Sequence, residues 1–141
     1  MQKRDLAERL ERAVNDLFEH QPNIWEFTSE TNQTEWNLAH HLAVELAGLF
    51  PKLDCDLDVA KPNYDMRRPD IILHNRGSQE LNRLVIEVKK DGTRGELAAD
   101  LKKIRQFWFS KPLNYRFGAV INLCEDGNHE VIVIKNVSKK R

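Results

Sequence analysis

Two acids and a lysine stand on two short apolar stretches near the middle of the chain. Asp70 directly precedes residues 71–74, and Glu87 and Lys89 belong to residues 84–90. Both stretches are rich in β-branched and aliphatic residues, and the polar segment between them contains a glycine, which predicts two antiparallel strands of a hairpin. Carboxylates can bind a divalent cation and an ammonium can orient a water molecule, so this hairpin is the first candidate for a catalytic site.

The register of the hairpin follows from the position of its turn. Opposite residues in an antiparallel pair have position numbers with a constant sum, and pairing Asp70 with Glu87 places the turn between Ser78 and Gln79. Directly opposite residues have Cβ atoms about 4.5 to 5.5 Å apart on one face of the sheet. Because side chains alternate along a strand, Lys89 shares the face of Glu87, and the apolar residues between them point to the other face.

Two carboxylates held this close repel each other, and in a partly buried site one would protonate unless a cation lay between them. Mg²⁺ is commonly held by one or two carboxylates, with waters and phosphate oxygens completing its octahedron. Lys89 would then stand beside the attacking water and the phosphate, where an ammonium stabilises developing charge. The alternative is a solvated face whose cross-strand ion pair contributes less than about 1 kcal/mol.

The order Pro69-Asp70, sixteen intervening residues and Glu87-Val88-Lys89 resembles the motif of the PD-(D/E)XK nuclease superfamily, the restriction-endonuclease-like fold. The resemblance implies that Asp70 and Glu87 hold Mg²⁺, or Mn²⁺ in its place, together with the main-chain carbonyl of Val88. It also implies that Lys89 serves catalysis by positioning the water.

Further site candidates come from the segments around the hairpin. Relatives often carry a glutamate on the helix before the first core strand, and here Glu35 is that residue; its alternative role is to close a capping box at the helix start. Some relatives also carry a Gln and a Tyr on the helix after the motif, where this chain has Gln106 and Ser110. Basic residues near the predicted site are candidates for contacts with phosphates: Arg67, Arg68, Lys90, Lys102 and Lys103.

Hydrophobic periodicity predicts the remaining elements. Helical stripes cover about residues 3–19, 36–50 and 94–110, and strands cover about residues 53–59, 71–74, 84–90, 117–123 and 130–137. The order is α, α, β, β, β, α, β, β, which predicts an α/β (α+β mixed) fold with helices flanking a mixed central sheet. Without its first helix and its last strand the order is αβββαβ, which resembles the restriction-endonuclease-like core.

Length and composition predict one globular domain over residues 1–141. The chain is 40% hydrophobic and 31% charged, values typical of soluble proteins. No apolar run of about 18 residues could span a membrane, and the start leads into a charged helix rather than a signal peptide, so we expect a cytoplasmic protein. Cys55 and Cys124 lie in apolar strand-like segments, which favours reduced thiols over a disulfide or a metal pair.

Charge is distributed unevenly although the net charge is zero. Residues 1–60 hold 5 Lys/Arg and 12 Asp/Glu, for −7, whereas residues 61–141 hold 17 and 10, for +7. A basic half that carries the motif is expected if one face approaches phosphates. The alternative is that the two halves neutralise each other within the chain or across a dimer.

The acids of the first strand are a separate question. Asp54, Asp56 and Asp58 alternate with apolar residues, which predicts that they line one face of a half-buried strand. We expect that face to meet solvent, and the alternative is that one of the three faces the metal.

These observations predict a Mg²⁺-dependent endonuclease that hydrolyses phosphodiester bonds of nucleic acid, with DNA as the expected substrate. A catalytically inactive nuclease-fold module that binds nucleic acid or a protein partner is the alternative. No zinc cluster or other recognition module is visible in the sequence, so specificity would come from loops or from a partner protein. Many small relatives act as homodimers, an arrangement that suits a symmetric substrate.

Overall fold

The protein has a mixed α/β fold in a computed structural model, which describes residues 1–25, 34–57, 69–77 and 82–137. Within these residues the helices are α1 (Lys3–His20), α2 (Thr34–Leu49) and α3 (Arg94–Lys103), and α3 continues into a π-helical turn, Ile104–Trp108. The strands are β1 (Asp54–Leu57), β2 (Ile71–His74), β3 (Leu84–Lys90), β4 (Phe117–Leu123) and β5 (His129–Lys135). The predicted order of helices and strands is confirmed.

The five strands form one open sheet in the order β1-β2-β3-β4-β5. β3 and β4 are parallel and are joined through α3, the kind of crossover that a parallel pair needs, and the other neighbouring pairs are antiparallel. Ile71 lies opposite Ile86 and Ile72 lies opposite Val85. This is the register predicted from the position of the turn, so the hairpin prediction is confirmed.

Helices cover both faces of the sheet. On one face α1 and α2 pack through fully buried leucines and a valine against the alternate strand residues Leu84, Ile86 and Val88. On the other face α3 and the π-helical turn pack against Ile72, Val85 and Val120. The alternation of side chains along β3 therefore sends Glu87 and Lys89 toward α3, in agreement with the predicted faces.

The helix after β3 differs from the prediction of one continuous helix to about residue 110. The α-helix ends at Lys103, and the π-helical turn that follows buries Ile104, Trp108 and Phe109. Gly118 on β4 lies directly beneath this turn, because a Cβ atom at that position would be 2.5 Å from Cγ2 of Ile104. The missing side chain of the glycine lets the turn approach the sheet.

Replacing Gly118 with Ala is expected to lower the free energy of unfolding by about 1 to 3 kcal/mol, the usual cost of overfilling a packed core. Gly48→Ala is the matched control, because nothing lies within 4 Å of the added atom on α2. That substitution is expected to stabilise the protein by about 0.5 to 1 kcal/mol through helix propensity. Urea unfolding of both variants measures the difference, and a Gly118→Ala protein as stable as the wild type would contradict the close packing.

Two further features concern the helices and the cysteines. No helix in the described part of the chain combines the length and the apolar composition that crossing a bilayer requires. Cys55 and Cys124 are both free thiols. Burial raises the pKa of the Cys55 thiol to about 11, and this group donates a hydrogen bond to the carbonyl of Ala43. Cys55 is thus protonated at neutral pH.

Candidate functional site

The hairpin joins Asp70 and Glu87 directly. The backbone N–H of Asp70 donates to Oε1 of Glu87 at 3.2 Å, and the backbone N–H of Val88 donates to Oδ2 of Asp70 at 2.6 Å. Both bonds lie where the ladder between β2 and β3 ends, so side-chain oxygens replace backbone acceptors there. The two predicted acids are therefore neighbours at one end of the sheet.

Glu87 is a buried acid with a cationic partner. Glu87 is 4% exposed as a whole residue, and its carboxylate Oε2 lies 2.6 Å from Nζ of Lys103. Burial raises the pKa of Glu87, an effect that the ammonium of Lys103 opposes. For Lys103, burial is the largest single effect and lowers the pKa, but the hydrogen bond to Glu87 and the negative charges of Glu87 and Asp100 together raise the pKa above its usual value. We take the pair as charged at neutral pH, because a 2.6 Å contact favours both ions.

Lys89 meets a second acid, Asp100 on α3. Nζ of Lys89 lies 3.4 Å from Oδ2 of Asp100, and Nζ of Lys103 lies 3.7 Å from Oδ1 of the same carboxylate. Asp100 and Lys103 are three residues apart on a helix, so both side chains face β3. With Asp70 and Glu87, the cluster holds three carboxylates against two ammonium groups, a formal charge of −1.

The turn between β3 and α3 fixes the position of this helix. Thr93 caps α3, accepting from the backbone N–H of Glu96 while the Glu96 carboxylate accepts from the N–H of Thr93, a complete capping box. Asn122 on β4 accepts from the N–H of Gly92 at 2.8 Å and donates to its carbonyl. These bonds tie the start of α3 to the end of the sheet that carries Glu87.

Asp100 is the site residue that the sequence did not reveal, and the pairing of Lys103 with Glu87 was not predicted either. Asp100 is 7% exposed. A signal existed, because Asp100 lies three residues after Leu97 and four before Ile104, which are both buried on the same stripe of the helix. Lys103, a candidate for contacts with phosphates, is half-buried and paired with Glu87. The apolar stem of the lysine lets its ammonium reach the buried acid. Its contact with phosphates stays a prediction.

Asp70 also borders an open pocket. This pocket of about 230 Å³ lies between α2 and the end of β1 and is lined by Trp36, Ala39, His40 and Leu57 as well as Asp70. Trp36 is 72% exposed. The acid pair thus has a buried member, Glu87, and a member that solutes can reach.

The remaining site candidates from the sequence are spread over several parts of the structure. Lys90 points to the opposite face of the sheet from Lys89, with its Nζ 6.0 Å from the centroid of the Trp25 ring. Lys102 is exposed on α3, and Gln106 is exposed on the π-helical turn. Three predicted site groups lie outside the described residues: Arg67, Arg68 and the side chain of Glu35.

The acids of β1 form a network of hydrogen bonds with His74 and Arg76. Asp56 accepts from Nη2 of Arg76 at 2.6 Å and from its Nε at 2.9 Å, and its Oδ2 lies 2.7 Å from Nε2 of His74. Oδ2 of Asp54 accepts from the backbone N–H of Arg76 at 2.9 Å. Asp54 and Asp56 are partly buried, and their partner Arg76 is exposed, so this face still borders solvent, while Asp58 lies outside the described residues.

This network predicts a loss of stability in acid. The hydrogen bond from Arg76 lowers the pKa of Asp56 to about 2, helped by His74 and opposed by burial. Because the folded pKa is below the unfolded value of about 3.9, the pair stabilises the fold above about pH 4, and this stabilisation disappears as the pH falls through about 2. Arg76→Gln should therefore lower the free energy of unfolding at pH 7 and have little effect at pH 2.

Urea unfolding between pH 7 and pH 2 measures this difference. Arg105→Gln is the control, because Arg105 is exposed on the π-helical turn and forms no ion pair among the described side chains. The control should match the wild type at every pH. A cost of Arg76→Gln that stays constant down to pH 2 would contradict the assigned role of Asp56.

Known families and proteins do not assign this site. No protein-family model matches the chain, and no curated protein sequence matches it. The chemical properties of its own side chains are therefore the basis for assigning a function to the site.

The donor set fits a hard cation that is held by few protein ligands. Among the residues that the structure describes, no three Asp, Glu, His or Cys side chains are grouped to hold a metal. Asp70 and Glu87 are nevertheless adjacent, and Mg²⁺ is commonly bound through one or two carboxylates while waters and phosphate oxygens fill the other positions. Lys89 and Asp100 form an ion pair on the side of β3 to which Glu87 also points.

Proposed function

We propose that this protein is a Mg²⁺-dependent endonuclease with a restriction-endonuclease-like core, acting on DNA. One observation carries the proposal: the backbone N–H of Asp70 donates to the carboxylate of Glu87 at the end of the hairpin. Lys89 follows two positions after Glu87 on β3 and points to the same side, toward Asp100 on α3. Acid, acid and amine thus have the order of the PD-(D/E)XK motif, and Glu87 and Lys89 both point toward α3.

The arrangement of the elements adds support. A helix precedes three strands that pair in sequence, and a second helix then crosses to a strand parallel to β3. Helices lie on both faces of the sheet. This is the αβββαβ order expected of the nuclease core, with α1 added before it and β5 added after it.

In the proposed reaction, some residues would hold the metal ion and others would position the water and the phosphate. Asp70 and Glu87 would hold the ion, with the carbonyl of Val88 as a further ligand and Glu35 as a candidate supporting acid. When bound, Mg²⁺ supplies a Lewis acid that polarises the phosphoryl group and makes water a better nucleophile. Lys89 would donate to the attacking water or to a phosphate oxygen, and the contact with Asp100 would orient the Lys89 ammonium.

The direct test is cleavage of a closed circular DNA, because only an endonuclease can cut a substrate without ends. The purified chain is incubated with circular plasmid in Mg²⁺, in Mn²⁺, in Ca²⁺ or in EDTA. We expect nicked or linear product with Mg²⁺ or Mn²⁺ and none with EDTA. Absence of product under every condition would contradict the proposed activity, and circular single-stranded DNA and RNA in parallel reactions test the substrate class.

A second candidate function has its own supporting observation. Lys103 already neutralises Glu87, so the cluster has a stable arrangement with no added ion. A nuclease-fold module that binds nucleic acid or a protein partner without cutting would keep this arrangement permanently. A gel-shift assay distinguishes the two functions, because the module predicts a retarded DNA complex that EDTA does not change and no cleavage in Mg²⁺.

A further inference from the structure

The ammonium of Lys103 lies where a cation bound to Glu87 would have to lie. Its Nζ is 2.6 Å from Oε2 of Glu87, while Oε1 of that carboxylate accepts from the backbone of Asp70. We infer that Lys103 is a displaceable internal cation, which holds Glu87 until a divalent ion binds and then moves to Asp100. This inference rests on the proposed function.

Charge and burial favour this displacement. The side chain of Glu87 is 5% exposed, and a buried carboxylate needs a positive partner. The side chain of Lys103 is 40% exposed, so its ammonium can leave toward solvent without crossing the core. A divalent ion and an ammonium on one carboxylate would repel each other, so binding of the ion at Glu87 favours departure of the lysine.

Asp100 offers the displaced ammonium a second position. Its Oδ1 is already 3.7 Å from Nζ of Lys103. Its Oδ2 is buried and lies 3.4 Å from Nζ of Lys89, so the two oxygens of this carboxylate can serve two lysines. Because Asp100 and Lys103 lie three residues apart on α3, a rotation of the lysine side chain shortens their contact while the helix stays in place. Oδ1 of Asp100 is therefore the partner to which the displaced ammonium can move, while Lys89 stays at Oδ2.

The charges after the exchange favour the proposed substrate. The two positive charges of the ion would balance Asp70 and Glu87. Asp100 would be shared by Lys89 and Lys103, which leaves one positive charge beside the acid pair. A phosphodiester carries one negative charge, so the rearranged cluster is complementary to it.

Titration of Mn²⁺ into the purified chain, followed by calorimetry and by the electron paramagnetic resonance signal of free Mn²⁺, tests the inference without any nuclease assay. Lys103→Met is expected to bind Mn²⁺ about tenfold more tightly than the wild type, a size typical of coupling between two bound groups. Lys102→Met is the matched control, because this neighbouring lysine is exposed on the same helix and should leave the affinity unchanged. Asp100→Asn should weaken binding, since the displaced ammonium loses its second partner.

The outcomes separate this inference from the proposed function. Wild-type binding of Mn²⁺ with equal affinity in Lys103→Met would overturn the displacement and leave the metal site standing. Binding by neither protein would overturn the metal site and the inference together. Thermal unfolding establishes that each variant is folded, and Lys103→Gln replaces Lys103→Met if the latter does not fold. The glutamine keeps a hydrogen bond to Glu87 without the charge, so it too should raise the affinity.

Discussion

Replacing Asp70 with Asn is expected to slow Mg²⁺-dependent DNA cleavage by at least about a hundredfold, since metal assistance is worth several kcal/mol and each 1.36 kcal/mol is tenfold in rate. Asparagine has the size of aspartate, and its side-chain oxygen can still accept from the N–H of Val88. The local backbone should therefore be retained. What is lost is the negative charge that a hard cation requires, so the defect should appear in the rate at saturating DNA.

A matched control separates this effect from a loss of folding. Asp16→Asn makes the same chemical change on α1, which packs on the opposite face of the sheet from Lys89. This control should cleave at the wild-type rate, and both variants should unfold near the wild-type temperature. Wild-type cleavage by Asp70→Asn would show that the activity has another origin.

Replacing Trp108 with Ala is expected to lower the free energy of unfolding by about 3 to 5 kcal/mol, the usual cost of removing a large core aromatic. Trp108 is 1% exposed in the core between the sheet and α3, and its ring meets the Tyr115 ring edge-on at 6.2 Å between centroids. Small proteins are stable by only about 5 to 15 kcal/mol, so this loss is a large part of the total. The same residue anchors the helix that carries Asp100 and Lys103.

Trp36→Ala provides the contrast for this experiment. Trp36 is 72% exposed on α2, and exposed substitutions usually change the free energy of unfolding by no more than about 0.5 kcal/mol. Chemical denaturation of the two variants should therefore give very different midpoints. Equal losses in both variants would contradict the placement of Trp108 in the core.

The hairpin was predictable because the sequence of its two strands and its turn specifies which residues pair. Apolar residues alternate with a period of two, and the position of the polar turn fixes which residues lie opposite each other. Ile71 therefore pairs with Ile86, and Asp70 meets Glu87. The helices and β4 were predictable for a similar reason, because their apolar stripes are long and regular.

The partners of the charged side chains were not predictable in the same way. Periodicity identifies the buried side of a helix, but it does not specify which strand residue lies opposite each turn. Asp100 meets Lys89, and Lys103 meets Glu87, because α3 lies on β3 at one particular rotation. That rotation depends on packing between the π-helical turn and Gly118, which is a contact between residues distant in sequence.

The central claim is that Asp70 and Glu87 together hold a divalent cation. Anomalous X-ray scattering from a crystal soaked in Mn²⁺ locates such an ion directly. The account predicts one peak at bonding distance, about 2 Å, from carboxylate oxygens of both acids, with the ammonium of Lys103 turned away from Glu87. A Glu87 carboxylate that keeps Lys103 at millimolar Mn²⁺, with no peak beside Asp70, would contradict it.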